Sequence, residues 1–253
     1  MQNHIYIITG ASRGMGLAMA EQLLAAQNRL LCISRQSNPA LAVQAEQHKC
    51  MLEQWTQDLS QPLAAADTLL TWLCSINQDE LHSITLINNA AVLPTIAAMR
   101  VSAPAELALS LRVNLEAPML LTAAFLQGTQ ETKAVRKVLN ISSGLGRRAM
   151  ASQAPYCAAK AGLDHFTRCL AIEEARHGNG AKVCSLAPGV IDTDMQVQLR
   201  SADANAFPDQ AAFAQLKAAG QLATASVAAQ RVLAWLARPD FGQQAIADVR
   251  EAG

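Results

Sequence analysis

The chain has 253 residues, 51% of them hydrophobic, and balances 20 Lys and Arg against 20 Asp and Glu. That length suits one large α/β domain, and zero formal charge leaves no global field to attract nucleic acid or an anionic membrane, so the expected partner is a small molecule. Six cysteines without a C-x-x-C pair argue against zinc or a disulfide framework and fit a reduced cytoplasmic protein.

Met1-Gln2-Asn3-His4 leads into the apolar run Ile5–Ile8 without a basic segment or leader, and no apolar stretch approaches the ~20 residues that span a bilayer. From there, short apolar runs alternate with longer Ala- and Leu-rich segments of helical period. This pattern predicts a single Rossmann-type, doubly wound α/β domain over residues 1–253, with a mostly parallel sheet and helices on both faces. Seven strands are expected, near 4–9, 29–34, 50–55, 84–88, 136–142, 181–187 and 243–247. Ligands of such sheets bind beyond the carboxyl ends of the strands.

After the first run comes Thr9-Gly10-Ala11-Ser12-Arg13-Gly14-Met15-Gly16, followed by a helical segment. At a strand-to-helix turn, Gly10 permits the tight bend, Gly14 a close approach of backbone to pyrophosphate, and Gly16 the packing of helix on sheet. The helix N-terminus then faces phosphate charge. The second run ends Cys32-Ile33-Ser34-Arg35, with no carboxylate to accept from an adenosine ribose. Arg35 and Arg13 are placed to flank a 2′-phosphate, which favours NADP(H), although both also read as solvated arginines. Asp58, after the third run, is placed for the adenine amino group and equally for a helix cap.

Tyr156 and Lys160 are four apart, one helix face, and Ser143 precedes the tyrosine by thirteen residues. A neighbouring cation favours phenolate, and lowering a phenol from its usual value to 7 takes about 4 kcal/mol. Pro188-Gly189 then opens an irregular stretch, with turn formers over Ser201–Pro208, that is expected to cover the site over about 190–220.

The series Thr9-Gly10-x-x-x-Gly14-x-Gly16, Asn88-Asn89-Ala90-Ala91, Asn114, Asn140-Ile141-Ser142-Ser143, Tyr156-x-x-x-Lys160 and Pro188-Gly189 resembles the short-chain dehydrogenase/reductase family over essentially the full length. Ala91 stands where that family usually has glycine. The resemblance implies that Tyr156 is the general acid of carbonyl reduction, that Ser143 hydrogen-bonds the substrate oxygen, and that Lys160 binds the nicotinamide ribose while lowering the tyrosine pKa. It implies that Asn114 holds a water in the proton relay and that hydride delivery is pro-S. Ser12, Met15, Asn89, Ala90, Pro188, Gly189, Ile191 and Thr193 join the cofactor contacts by the same resemblance.

Within the family, Pro188–Gln196, Ile84–Ala91, Tyr156–Thr167 and a C-terminal aspartate, Asp248, look most like the benzil reductase and sepiapterin reductase group. This implies an NADPH-dependent reductase of a ketone, with a vicinal dicarbonyl such as benzil as substrate and sepiapterin-like pteridine reduction as the alternative. Two further alternatives are an alcohol dehydrogenase on a lipid or sugar and a non-catalytic dinucleotide sensor. Asp248 would anchor a pterin just after the last strand, or be a solvated turn former. Met195, Leu199, Phe207, Phe213 and the loop 144–150 form a candidate apolar wall, or ordinary core. Arg147 and Arg148 would attract an anionic substrate, or be solvated. The resemblance also implies a homodimer or homotetramer paired through helices near 103–127 and 153–177.

Overall fold

Each apolar run pairs with its neighbours in parallel. In the computed structural model, which describes residues 3–251, the strands are β1 (His4–Thr9), β2 (Asn28–Ser34), β3 (Met51–Thr56), β4 (Ser83–Asn88), β5 (Val135–Ile141), β6 (Lys182–Ala187) and β7 (Ile246–Asp248). Met1 and Gln2, where the expected leaderless start begins, lie outside the described residues, as do Ala252 and Gly253. The sheet order is β3-β2-β1-β4-β5-β6-β7, all parallel. The chain therefore winds one way from β1 and the other way from β4, leaving a crevice between those two strand ends.

Side-chain alternation along the strands feeds two cores. Ile8, Leu30, Cys32, Ile87, Leu139 and Cys184 meet Met15 and Met19 of α1 (Gly14–Gln22) and Ala228 and Val232 of α9 (Ala225–Leu236). Ile5, Ile7, Leu31, Ile33, Leu86 and Val138 meet Leu69 and Leu73 of α3 (Pro62–Ser75), and Leu121 and Phe125 of α5 (Ala117–Gly128). The remaining helices are α2 (Pro39–Gln47), α4 (Pro104–Leu111), α6 (Ala154–Glu174), α7 (Asp194–Arg200) and α8 (Gln210–Ala218).

The final strand starts three residues later than expected, because residues 238–245 turn back through Arg238–Asp240 and Gly242, the glycine at φ +90°. The expected helix 103–127 is α4, a π-turn over Arg112–Glu116 and α5 in series. Pro104–Gly128 is thereby long and apolar enough to cross a membrane, with half of its most apolar window buried in the fold. Glu106, Arg112 and Glu116 punctuate it, which is why a scan for unbroken apolar stretches passes over it. The segment after β6 is closed at its base by a short clasp: Ile191 bridges Ala223, whose N–H donates to Val190 O while its carbonyl accepts from Asp192 N.

The α3–α5 contact is the tightest helix pairing on its face. A Cβ on Gly128 would lie 2.6 Å from the Leu73 Cβ. Gly128→Ala is expected to destabilise the fold by about 1–3 kcal/mol, read from urea unfolding at constant m-value.

Candidate active site

The glycine-rich turn is held from below by β4. Thr9 Oγ1 accepts from the backbone N–H of Asn89 (2.9 Å) and Ala90 (3.0 Å), and the Asn89 amide donates to Thr9 O (2.9 Å) and Gly10 O (3.2 Å). A Cβ on Gly16 would fall 2.2 Å from Gly10 O, and one on Gly10, at φ +69°, would fall 2.9 Å from Ala90 Cα. Gly14 differs: at φ +58° it has open space on its Cβ side. No side chain caps the first turn of α1. A backbone cradle that is closed underneath and open above fits a pyrophosphate at the helix N-terminus.

The residues around that cradle are variously engaged. Ser12 O accepts from the Asn38 amide at 3.1 Å, and Met15 is buried in the core. Arg13 pairs with Asp194 at the start of α7, both side chains exposed. Arg35 stands exposed just past β2. Asp58 accepts from Ser60 N at 2.9 Å. That bond, then the hydroxyl of Ser60 and the charge of Arg35, lowers its carboxyl below the usual range. Asp58 thus closes a turn ahead of α3 rather than capping the helix itself, whose N-cap is Gln61.

Tyr156, Lys160 and Asp164 occupy successive turns of one buried face of α6. Burial pushes the Tyr156 phenol up to about 12, and the hydrogen bond with Ser143 is what acts downward. The Lys160 ammonium donates to Ile141 O at 2.8 Å and sits 5.7 Å from the Tyr156 ring centroid, over the ring. Burial also depresses the lysine itself to about 8, against an upward pull from Asp164. Desolvation disfavours both charged forms and is the largest cause of each shift.

Ser142 and Ser143 divide cleanly. The buried Ser142 hydroxyl donates to Asp164 Oδ1 at 2.6 Å, whereas Ser143 Oγ accepts from Leu145 N at 3.2 Å at the mouth of the next turn. Ser143 is thus both a turn cap and the hydroxyl beside Tyr156. Asn114, in the π-turn, has its amide closed: Val92 N donates to Oδ1 (2.9 Å), and Nδ2 donates to Val92 O (2.8 Å) and Ser110 Oγ (3.1 Å). Its side-chain amide is thus tied to Val92 and Ser110, with one lone pair of Oδ1 left over.

Past β6, Pro188 leads into Gly189 at φ +82°, Ile191 joins the clasp, Thr193 is the N-cap of α7, and Met195 is half-buried on that helix. Phe207 is fully buried against Phe213, with ring centroids 5.6 Å apart, so Phe207 is core of the covering segment rather than an open wall. Asp248 is the last residue of β7 and 4% exposed, not a solvated residue beyond it. Arg250 forks onto both of its oxygens (2.8 and 2.6 Å), which keeps the carboxyl low and occupies the acceptors expected to meet a pterin. Arg147 remains exposed to solvent while its guanidinium is tied inward: it donates to Asp164 Oδ2 (3.2 Å) and Ala247 O (2.8 Å). Sequence reasoning passed over Thr9 and Asp164. The signal for Asp164 is its place four residues after Lys160, repeating the interval from Tyr156.

The model of the family described as short chain dehydrogenase matches residues 4–204. A benzil reductase ((S)-benzoin forming) of Bacillus cereus is 34% identical over 245 residues, covering 97% of this chain and 98% of that protein. The sepiapterin reductase of Mus musculus is 32% identical, covering 96% and 95%. Among solved structures, a short-chain dehydrogenase/reductase from Burkholderia vietnamiensis superposes with a TM-score of 0.66 at 32% identity, covering 100% and 99%. Fold, motifs and full-length similarity agree, and the chain belongs to the short-chain dehydrogenase family, oxidoreductases that interconvert alcohols and carbonyls with a nicotinamide dinucleotide.

Proposed function

We propose that the chain is an NADPH-dependent carbonyl reductase whose substrate is a ketone, of the vicinal dicarbonyl class to which benzil belongs. The observation that carries this reading is the placement of Tyr156 and Lys160 on one buried face of α6 with the Ser143 hydroxyl beside the phenol, which burial pushes up to about 12. An acid must hold its proton until the substrate needs it, and a phenol this weakly acidic does so throughout the neutral range. The similarity to benzil reductase along nearly the whole of both chains supports the substrate class.

Gly10–Gly16, Asn89, Ala90 and Pro188–Thr193 would hold the dinucleotide, which when bound would supply the hydride. The chain's own groups manage the oxygen. Ser143 donates to the carbonyl oxygen as negative charge develops, and Tyr156 passes its proton to that oxygen. Lys160, with a pKa of about 8, remains an ammonium at neutral pH and offers its donors to the nicotinamide ribose. The Asn114 carbonyl holds the water through which the phenol regains its proton. Arg35, with no carboxylate ending β2, accepts the 2′-phosphate. Arg13 joins it by exchanging Asp194 for the phosphate, a small loss because an exposed ion pair contributes at most about 1 kcal/mol.

Residues 190–220, including Met195, cover the substrate. The exposed Leu109, Leu111, Met119 and Ile172 on α4–α6 support a homodimer or homotetramer. Pteridine reduction is the second reading, favoured by the sepiapterin reductase similarity. Arg250 already takes up much of the acceptor capacity of Asp248, so the dicarbonyl reading comes first.

NADPH oxidation followed with benzil, sepiapterin and a simple aliphatic ketone tests the assignment: benzil is expected to turn over fastest, and no turnover with any carbonyl would overturn it. Tyr156→Phe is expected to bind NADPH nearly as the parent does and to lose about 100-fold or more in kcat. Arg35→Asp should move the kcat/KM preference from NADPH toward NADH. For Lys160, the unfolded chain keeps its proton to about 10.5 and the folded chain only to about 8, so unfolding takes up protons between those values and stability from this group rises with pH there. Relative to Lys160→Met, the parent should gain on the order of 2 kcal/mol between pH 7 and 9.5 in urea unfolding.

A further inference from the structure

The carboxylate of Asp164 is 1% exposed and meets three elements besides its own helix. Its Oδ1 accepts from Ser142 Oγ after β5 (2.6 Å) and Ser185 Oγ on β6 (2.7 Å), and its Oδ2 accepts from Arg147 Nε in the loop after Ser143 (3.2 Å). Arg147 continues outward, donating through Nη2 to Ala247 O on β7 (2.8 Å), the residue before Asp248. The loop is pressed onto α6 as well: a Cβ on Gly146 would lie 3.0 Å from both Asp164 Oδ2 and the Lys160 carbonyl.

We propose that Asp164 is a positioning residue for carbonyl reduction, and that Arg147 carries its hold from the catalytic helix to the strand bearing Asp248. The inference rests on the reductase reading. By drawing the Ser142 hydroxyl into the protein, Asp164 leaves Ser143, the next residue of an extended chain, facing the opposite way toward the substrate. The same carboxylate sits one turn from Lys160, on the side away from Tyr156. The charged and titratable groups around it are Lys160 on its own helix, Arg147 from the loop and Cys184 from β6, with Asp248 beyond Arg147. Arg147 pairs with this buried anion directly, and Lys160, one turn back and bonded to Ile141 O, is pulled upward by its charge. Removing the anion takes away the upward pull on Lys160, whereas removing Arg147 leaves the carboxylate's charge less neutralised and that pull stronger.

The two substitutions therefore move Lys160 in opposite directions, which a merely structural hub would not do. The test compares Asp164→Asn and Arg147→Met with the parent. NADPH affinity is read by fluorescence from pH 6 to 9.5, and kcat and KM are read with benzil. For Asp164→Asn, kcat is expected to fall about tenfold or more, and the pH at which NADPH affinity declines to move down by about one unit. For Arg147→Met, that midpoint moves up and KM for benzil rises several-fold while kcat changes less. Opposite midpoint shifts support the proposal even with a substrate other than benzil, since the NADPH arm needs no turnover; a parent that reduces no carbonyl removes the reductase reading instead. Unchanged midpoints, or shifts of the same sign, overturn it. Should Asp164→Asn fail to fold, Arg147→Met decides alone: an unmoved midpoint with the parent's KM overturns the proposal.

Discussion

A parallel sheet covered on both faces has to be apolar through its width, and the edge where its strands end is where it can change character. This constraint organises the molecule. Along β4, β5 and β6 the apolar residues give way at one level, where Asn88 is in register with Asn140 and Asn140 with Ser185. These residues are buried, so each must find a partner within the protein. Asn88 donates to Asn140 Oδ1 (2.8 Å) and Thr122, Asn140 donates to Thr167 (2.9 Å), and Ser185 donates to Asp164. A row of polar side chains thus stitches the sheet end to α5 and α6, and fixes the helix that presents Tyr156 and Lys160.

That stitching explains what a ligand meets. The groups proposed to act on substrate stand immediately above this buried polar layer, in which the Asn88 amide donates twice while its oxygen has no partner within the protein. Their titration is accordingly governed by desolvation: Tyr156 goes up, and Lys160 goes down. Both shifts favour neutral forms, and the protein alone does not produce a phenolate. A reductase has use for that bias, because its acid is in the proton-bearing state when the substrate arrives.

Much of this was legible in the sequence because it depends on short intervals. The strand runs, the three glycines of the first turn, and the spacing of Tyr156 and Lys160 are local patterns, and the structure brings Ser143 to the phenol as the motif order implied. The misread residues have partners that local spacing does not encode. Arg147 reaches Asp164 across 17 residues and Ala247 across 100. Read alone it is a solvated arginine, and it does stay exposed; what local spacing leaves out is this pair of inward bonds. Asp248 was expected to be open because nothing in a strand-end pattern announces that a side chain two residues on will fold back over it. The depth of burial that raises the Tyr156 phenol in the protein by itself is likewise not a local pattern.

The clasp between Ile191 and Ala223 has a different kind of consequence. The thirty or so residues between them leave and re-enter the fold at nearly one point, held there by two backbone hydrogen bonds, so the sheet senses little of what lies between. Loop-closure entropy grows slowly, by about 0.6 kcal/mol for each doubling of length, and a segment tied off in this way tolerates replacement as a unit. The covering helices are in effect a cassette: they can be lengthened, shortened or rewritten to admit a different carbonyl compound while the machinery beneath, anchored elsewhere, stays as it is.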